Sequence, residues 1–312
     1  MRAISNVRNL VIAAMVAAGF AVVCCGCARE VSDAPQSQAA SEPLSVCVSI
    51  PPQAFLVEQI GGDRVAIEVL VGPGQSPATY DLTPAQMVAL EDADVYFRIG
   101  VPFEDALMER ISASMPDLNV VDLRDGIELQ PISDHAQEDD GHGHGRMDPH
   151  TWLDPRLVAI QAETVRAELA RLDPDSAHSF EASATALLSE LAHVDLQIDE
   201  LLRPAAGRKM LVFHPSFGYF CRAYGLEQVA IEVSGREPGP RELQAIVEAA
   251  RADSVKAIFV QREFSDASAR ALAADIGARI VTLDPLSRDY IENMREMAQT
   301  VRDELVGPGG GE

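Results

Sequence analysis

Seven histidines are spread along the 312-residue chain, and their positions carry more information than their number. His150 stands in DPHTWLDP, just ahead of a helical pattern. His214 follows the apolar run MLVF in VFHPSFGYF, and Asp284 follows RIVTL. Ligands of open parallel sheets bind in the crevice outside the carboxyl ends of the strands, so residues at these two strand ends are expected to project into one cleft. Taken singly, each also has a structural or helix-capping reading. Together with His150 they make a set: two imidazoles and a carboxylate are donors of the kind that hold zinc at about 2.0 to 2.2 Å in a tetrahedral shell.

The other histidines divide into two groups. His135, His142 and His144 lie in DHAQEDDGHGHGRMDPH, where imidazoles, carboxylates and glycines mix with no hydrophobic period. That composition suits weak, exchangeable metal capture, and its plainer reading is a solvated polar loop. His178 and His193 fall at the start and on the exposed side of a long helical pattern and are read as surface residues.

The elements that must position these groups alternate between β-branched runs and helical periods. Strands are expected at 44–50, 65–71, 95–99 and 119–122, with helices around 53–60, 83–90, 103–115 and 157–172. Phe180, Ala184, Leu187, Leu191, Val194, Ile198 and Leu201 then recur at alternating four- and three-residue steps, the signature of a long amphipathic helix. Asp173-Pro174-Asp175-Ser176 supplies its start signal, and Pro204 followed by Gly207 its stop. The alternation resumes with strands at 210–213, 228–232, 257–260 and 279–283, and helices around 217–224, 240–252, 267–276 and 289–306. The expected fold class is α/β: two βα lobes with mostly parallel sheets, joined by one long rigid linking helix. The expected boundaries are a signal peptide at 1–26, a flexible tether at 27–43, an N-terminal lobe at 44–174, the linking helix at 175–204, a C-terminal lobe at 205–306 and a disordered tail at 307–312. No strict sequence repeat relates the two lobes.

Composition narrows the function. Hydrophobic residues make up 47% of the chain and aromatics only 5%, which favours α/β layers over an aromatic-rich sandwich. A net charge of −23 argues against a nucleic-acid partner, since a phosphate-binding face needs clustered Lys and Arg. Such a field concentrates cations, and it also simply keeps a protein soluble. Arg2, Arg8 and the apolar run from Leu10 to Val23 have the layout of a secretory signal, too short to span a bilayer comfortably. Cys24-Cys25-Gly26-Cys27 follows, and a cysteine after a small residue at the end of an export signal resembles a bacterial lipoprotein box, with Cys27 as the acceptor. Cys24 stands where that pattern usually has Leu, and plain secretion to the periplasm is the alternative. Cleavage before Cys27 removes two arginines and no acid, taking −23 to −25. Cys47 and Cys221 fall in different halves and are expected to be buried thiols without a bridge.

Five segments, taken in order, carry a family resemblance: VSIPPQAFLVEQIGGDRVAIEVLVGPGQSPATYDLTP, DPHTWLDPRL, VFHPSFGYF, EPGPRELQAIVEAAR and LDPLSRDYIENM. The chain resembles the zinc- and manganese-binding proteins of bacterial ABC importers, the TroA-like or ZnuA-like group. The resemblance implies two lobes bridged by one long helix, with the ion in the cleft and four metal positions, the second on His150, the third on His214 and the fourth on Asp284. The first departs from the pattern: where the family has Pro-His this chain has Pro77-Ala78, and Ala78 cannot bind a metal. Water, a bidentate Asp284, or His142 or His144 folding in from the loop would fill that place.

The resulting expectation is an exported binding protein, monomeric and anchored through Cys27, that captures a divalent metal and passes it to an ABC importer permease. Zn2+ leads because the donors are rich in imidazole, with Mn2+ or Fe2+ as the alternative; copper(I) would want sulfur. A surface adhesin is one rival and a zinc hydrolase another. The sequence has no HExxH helix, and Glu232 and Glu237 are the acids that would serve as a general base.

Overall fold

The computed structural model describes residues 42–132, 147–232, 239–253, 255–263 and 267–307. The expected signal peptide, nearly all of the expected tether with Cys27, His135, His142, His144, Glu237 and the last five residues lie outside the described residues. The chain divides into Met1–Ser41 and a body, Glu42–Glu312.

In the body, β1 (Leu44–Val48), α1 (Pro51–Gly61), β2 (Val65–Val69), α2 (Pro84–Glu91), β3 (Val95–Arg98), α3 (Phe103–Ser114) and β4 (Val120–Asp122) form the first βα run. Two long helices follow, α4 (Pro155–Leu172) and α5 (Ala177–Leu202). The second run is β5 (Lys209–Val212), α6 (Gly218–Ala223), β6 (Glu227–Ala230), α7 (Pro240–Ala252), β7 (Ala257–Gln261), α8 (Ala267–Ile276), β8 (Arg279–Leu283) and α9 (Tyr290–Val306). The sheets are ordered β2-β1-β3-β4 and β6-β5-β7-β8, with every pairing parallel. One strand order is thus used twice, a topological repeat with no counterpart in sequence periodicity. In each sheet the order reverses beside the first strand, which puts a crevice at the carboxyl ends of β1 and β3, and of β5 and β7.

The expected elements form, with shifts at their ends that have local causes. The sequence pattern starts the first helix at Gln53, but Pro51 and Pro52 occupy its first turn, where no N–H is needed and the fixed φ suits a helix. The Gln53 side chain accepts from the Ser49 and Ile50 N–H groups at 2.9 and 3.1 Å, turning β1 over into the helix. Thr83 and Gln86 cap α2 reciprocally, and Asp154 caps α4 by accepting from the Arg156 N–H at 3.0 Å.

The 26-residue α5 spans about 39 Å. It buries Phe180, Ala184, Leu187, Leu191, Val194, Ile198 and Leu202, and packs on α4 and α1 of the first lobe and on α9 of the second. One hydrophobic core therefore runs through both lobes, from Val46 and Phe97 to Met210 and Met294, and a smaller cluster lies around Leu211, Ile258 and Leu272. Direct ties reinforce it: the Phe55 and Tyr290 rings lie 5.6 Å apart and Arg288 reaches Glu58 at 2.9 Å. Cys47 and Cys221 are free and buried; burial pushes the Cys47 thiol up to about 12 and the Cys221 thiol up as well. His178 and His193 are exposed on α5.

At the crevice of the first sheet, the fully buried Glu104 accepts from the Ser49 hydroxyl (2.6 Å) and from the Ile99 and Gly100 N–H groups (2.9 and 2.7 Å), with Arg98 at 3.2 Å. Burial pushes its carboxyl up, against the pull of those donors. Gly100 has φ +83°, a conformation that favours glycine, and a Cβ there would also displace the Arg124 guanidinium. Glu104→Ala strands two buried N–H groups and is expected to lower stability by about 3 kcal/mol in urea unfolding.

Candidate metal centre

His150 belongs to the described segment that begins at Met147. Met147 pairs with Pro131 in an isolated antiparallel bridge, and the Asp148 N–H donates to the Gln130 carbonyl at 2.7 Å. Asp148, only 4% exposed, then turns its Oδ1 onto both the N–H and the Nδ1 of His150, at 2.9 and 2.6 Å. A single 3-10 turn, Thr151–Leu153, leads into α4 and sets the Trp152 ring 5.2 Å from the imidazole.

His214 leaves the end of β5, at the crevice of the second sheet. Parallel pairing continues past the named strands: the Ile231 N–H donates to the Val212 carbonyl and the Glu232 N–H to the Phe213 carbonyl, both at 2.9 Å. That register brings Glu232 beside His214, and its carboxylate meets Nδ1 at 2.6 Å. The turn after His214 is gripped from the flanking strands, since Gln228 accepts from the Phe217 N–H at 2.6 Å and Gln261 donates to the Ser216 hydroxyl.

The two imidazoles meet edge to face, ring centroids 5.6 Å apart at 77°. Each is backed through Nδ1 by a buried carboxylate, which fixes the tautomer with the proton on Nδ1 and makes Nε2 the nitrogen to face an ion. Carboxylate-backed imidazole is the usual environment of a metal-binding histidine. Burial pushes the His214 imidazole below its ordinary value, while Glu232 pulls it the other way. The depressed value keeps the ring neutral, the form that binds metal.

Asp284 stands apart from this pair. Its strand is two places from β5 with β7 between, a lateral offset of about 10 Å. Its Oδ1 accepts from the Leu286 N–H at 3.1 Å, its carbonyl accepts from Asn293 at 2.7 Å, and its Oδ2 faces Arg262 at 3.7 Å. Trp152 ties this turn to the histidine segment, its indole N–H donating to the Pro285 carbonyl at 2.8 Å. Ala78 is exposed, in a turn where its N–H donates to the Ser76 hydroxyl at 3.3 Å. Among the described residues, no group of three His, Cys, Asp or Glu side chains is drawn together as a ready-made cage. The structure thus unites His150 with His214 and leaves Asp284 at the end of β8, one strand beyond β7.

Asp148 and the role of Glu232 escaped the sequence reading. Asp148 had a signal, its place two residues before a histidine that precedes a capped helix. In sequence Glu232 reads only as a base for the rival hydrolase; in the structure its carboxylate is engaged by His214, and only strand register reveals that pairing.

A family model described as "ZnuA: Zinc-uptake complex component A periplasmic" matches residues 46–304. The high-affinity zinc uptake system protein ZnuA of Bacillus subtilis is 26% identical over 285 residues, covering 84% of this chain and 88% of that protein. The manganese-binding lipoprotein MntA of Halalkalibacterium halodurans is 28% identical over 265 residues, 84% of each. A solved structure described as "Crystal structure of ZnuA" superposes with a TM-score of 0.78 at 38% identity, over 84% of this chain and 99% of that one.

The paired carboxylates generate a test that needs no metal. In nitrogen-15 spectra of the metal-free protein near neutral pH, His150 and His214 are expected as Nδ1–H tautomers, with Asp148→Asn scrambling the first and Glu232→Gln the second. Free tautomer exchange at both rings in the unaltered protein would refute the arrangement.

Proposed function

We propose, from the premise that this chain belongs to the ZnuA family of periplasmic zinc-uptake components, that it captures its ion between His150 and His214 and hands it to an ABC importer permease. It is an exported metal-binding protein of the importer type, with two α/β lobes and a long linking helix. The observation that carries the site assignment is the contact of two imidazoles from different lobes, each held by its own carboxylate. Asp284, at the end of β8 with β7 between it and β5, supplies an oxygen donor once its turn moves toward the histidines.

Zinc is the ion these donors favour, because neutral imidazole suits it while manganese and iron sites take a larger share of oxygen. Zinc-binding and manganese-binding proteins both occur among the relatives. Ala78 offers no donor where the family pattern has a histidine, so water, a bidentate Asp284, or His142 or His144 completes the shell. The protein acts as a carrier rather than a catalyst, with Glu232 orienting His214 instead of activating water. We assign 1–26 to the export signal, Cys27 to a lipid anchor, 27–43 to the tether, 44–174 and 205–306 to the lobes and 175–204 to the link, in a monomer. Among the described residues, no helix is long and apolar enough to cross a membrane.

A competition titration of the purified chain tests the site. His150→Ala and His214→Ala are each expected to weaken zinc binding roughly 100-fold, about 2.7 kcal/mol, and Ala78→His to tighten it about tenfold. Unchanged affinity in either alanine variant would remove that histidine from the site.

A further inference from the structure

Gly218 opens α6 four residues after His214 and faces Asp148 of the first lobe. A Cβ added there would lie 2.7 Å from Oδ2 of Asp148, closer than real side chains approach. Its φ is not in the left-handed region, so conformation does not demand glycine here and space does. Nor is Asp148 able to retreat. Its Oδ1 is fixed by the His150 N–H and Nδ1, its N–H by the Gln130 carbonyl, and its carbonyl accepts from the Tyr219 hydroxyl at 3.3 Å. The same hydroxyl accepts from the Gln130 N–H at 3.1 Å. Tyr219 therefore touches both Gln130 and Asp148, the two residues whose backbones pair there, and its ring is buried.

We infer that Gly218 and Tyr219 are positioning residues for metal capture, a second-lobe cradle that holds Asp148, and through it the His150 ring, against His214. The inference rests on the reading of the two histidines as metal ligands. Its geometry is separate from that reading: the cradle sets where His150 points whether or not an ion is bound. It also gives the two lobes a contact at the site itself, distinct from the Phe55–Tyr290 and Glu58–Arg288 contacts. An ion bridging the histidines thereby meets a first-lobe donor already registered to the second lobe.

The test is a double-mutant cycle on the full chain, read by zinc competition titration and by nitrogen-15 signals of the metal-free His150 ring. Gly218→Ala is expected to weaken zinc binding about tenfold or more and to shift the His150 tautomer balance, because it displaces the carboxylate that orients the ring. In an Asp148→Ala background, where that carboxylate is gone, the same Gly218→Ala change is expected to alter affinity by less than about twofold. Tyr219→Phe keeps the ring and its packing, and is expected to weaken binding several-fold with faster zinc release. Equal losses from Gly218→Ala in both backgrounds, or a His150 signal untouched by Gly218→Ala and Tyr219→Phe in folded protein, would overturn the inference. If His150→Ala left zinc binding intact while the His150 signal still responded to Gly218→Ala, the ligand assignment would fall and the cradle would stand.

Discussion

A buried carboxylate on the Nδ1 of an imidazole is the interaction on which the site is built, and it occurs twice. An imidazole alone at a strand end rotates, flips and protonates; one held through Nδ1 has a set tautomer and a set direction for Nε2. Each lobe supplies its pair by a different route. In the second lobe, the register of β6 on β5 carries Glu232 alongside His214. In the first, a tight turn folds Asp148 back on the histidine two residues later. An ion taken by the proposed His150–His214 pair would have little left to organise, which favours binding because the ordering of ligands has been met during folding.

How far the lobes move follows from the same economy of parts. A hinge needs a weakly packed seam, whereas here one hydrophobic core passes through both lobes and α5 buries its stripe against helices of each. Wide opening would expose that apolar surface at roughly 25 cal/mol for every Å². Capture and release are accordingly matters of local rearrangement. The Asp284 turn is a natural part to move: its carboxylate is partly exposed and Arg262, its ion-pair partner, is largely so.

The fold was largely legible in the chain. Two βα alternations and the four-and-three spacing from Phe180 onward were enough for the sheets, their parallel sense and the long helix, because periodicity reports burial directly. Element ends were read less well: Gln53 turning over β1, and prolines filling the first turn of α1, are side-chain decisions that periodicity does not register. In the site, His150 and His214 stood out through their place after loop and strand, while Glu232 required knowing which residue lies across a parallel ladder. Asp284 shows the limit of arguing from strand ends. Two residues at carboxyl ends of one sheet share an edge, but an intervening strand separates them.

Transport asks something different from structural metal binding. A closed four-ligand shell holds zinc as part of the fold, whereas a carrier must both win the ion and give it up. The two demands fall on different features of this chain. Its net charge of −23 raises the local concentration of cations and so acts on encounter, at long range and weakened by salt. The ligand shell acts on release, and in the proposed site Ala78 places no side chain able to bind where the family pattern has a histidine. On the proposed reading, a shell of two oriented imidazoles completed by water or other donors would keep selectivity for a nitrogen-loving ion through the fixed part. It leaves an entry point for exchange through the rest, since ligand substitution at zinc readily passes through an added fifth donor.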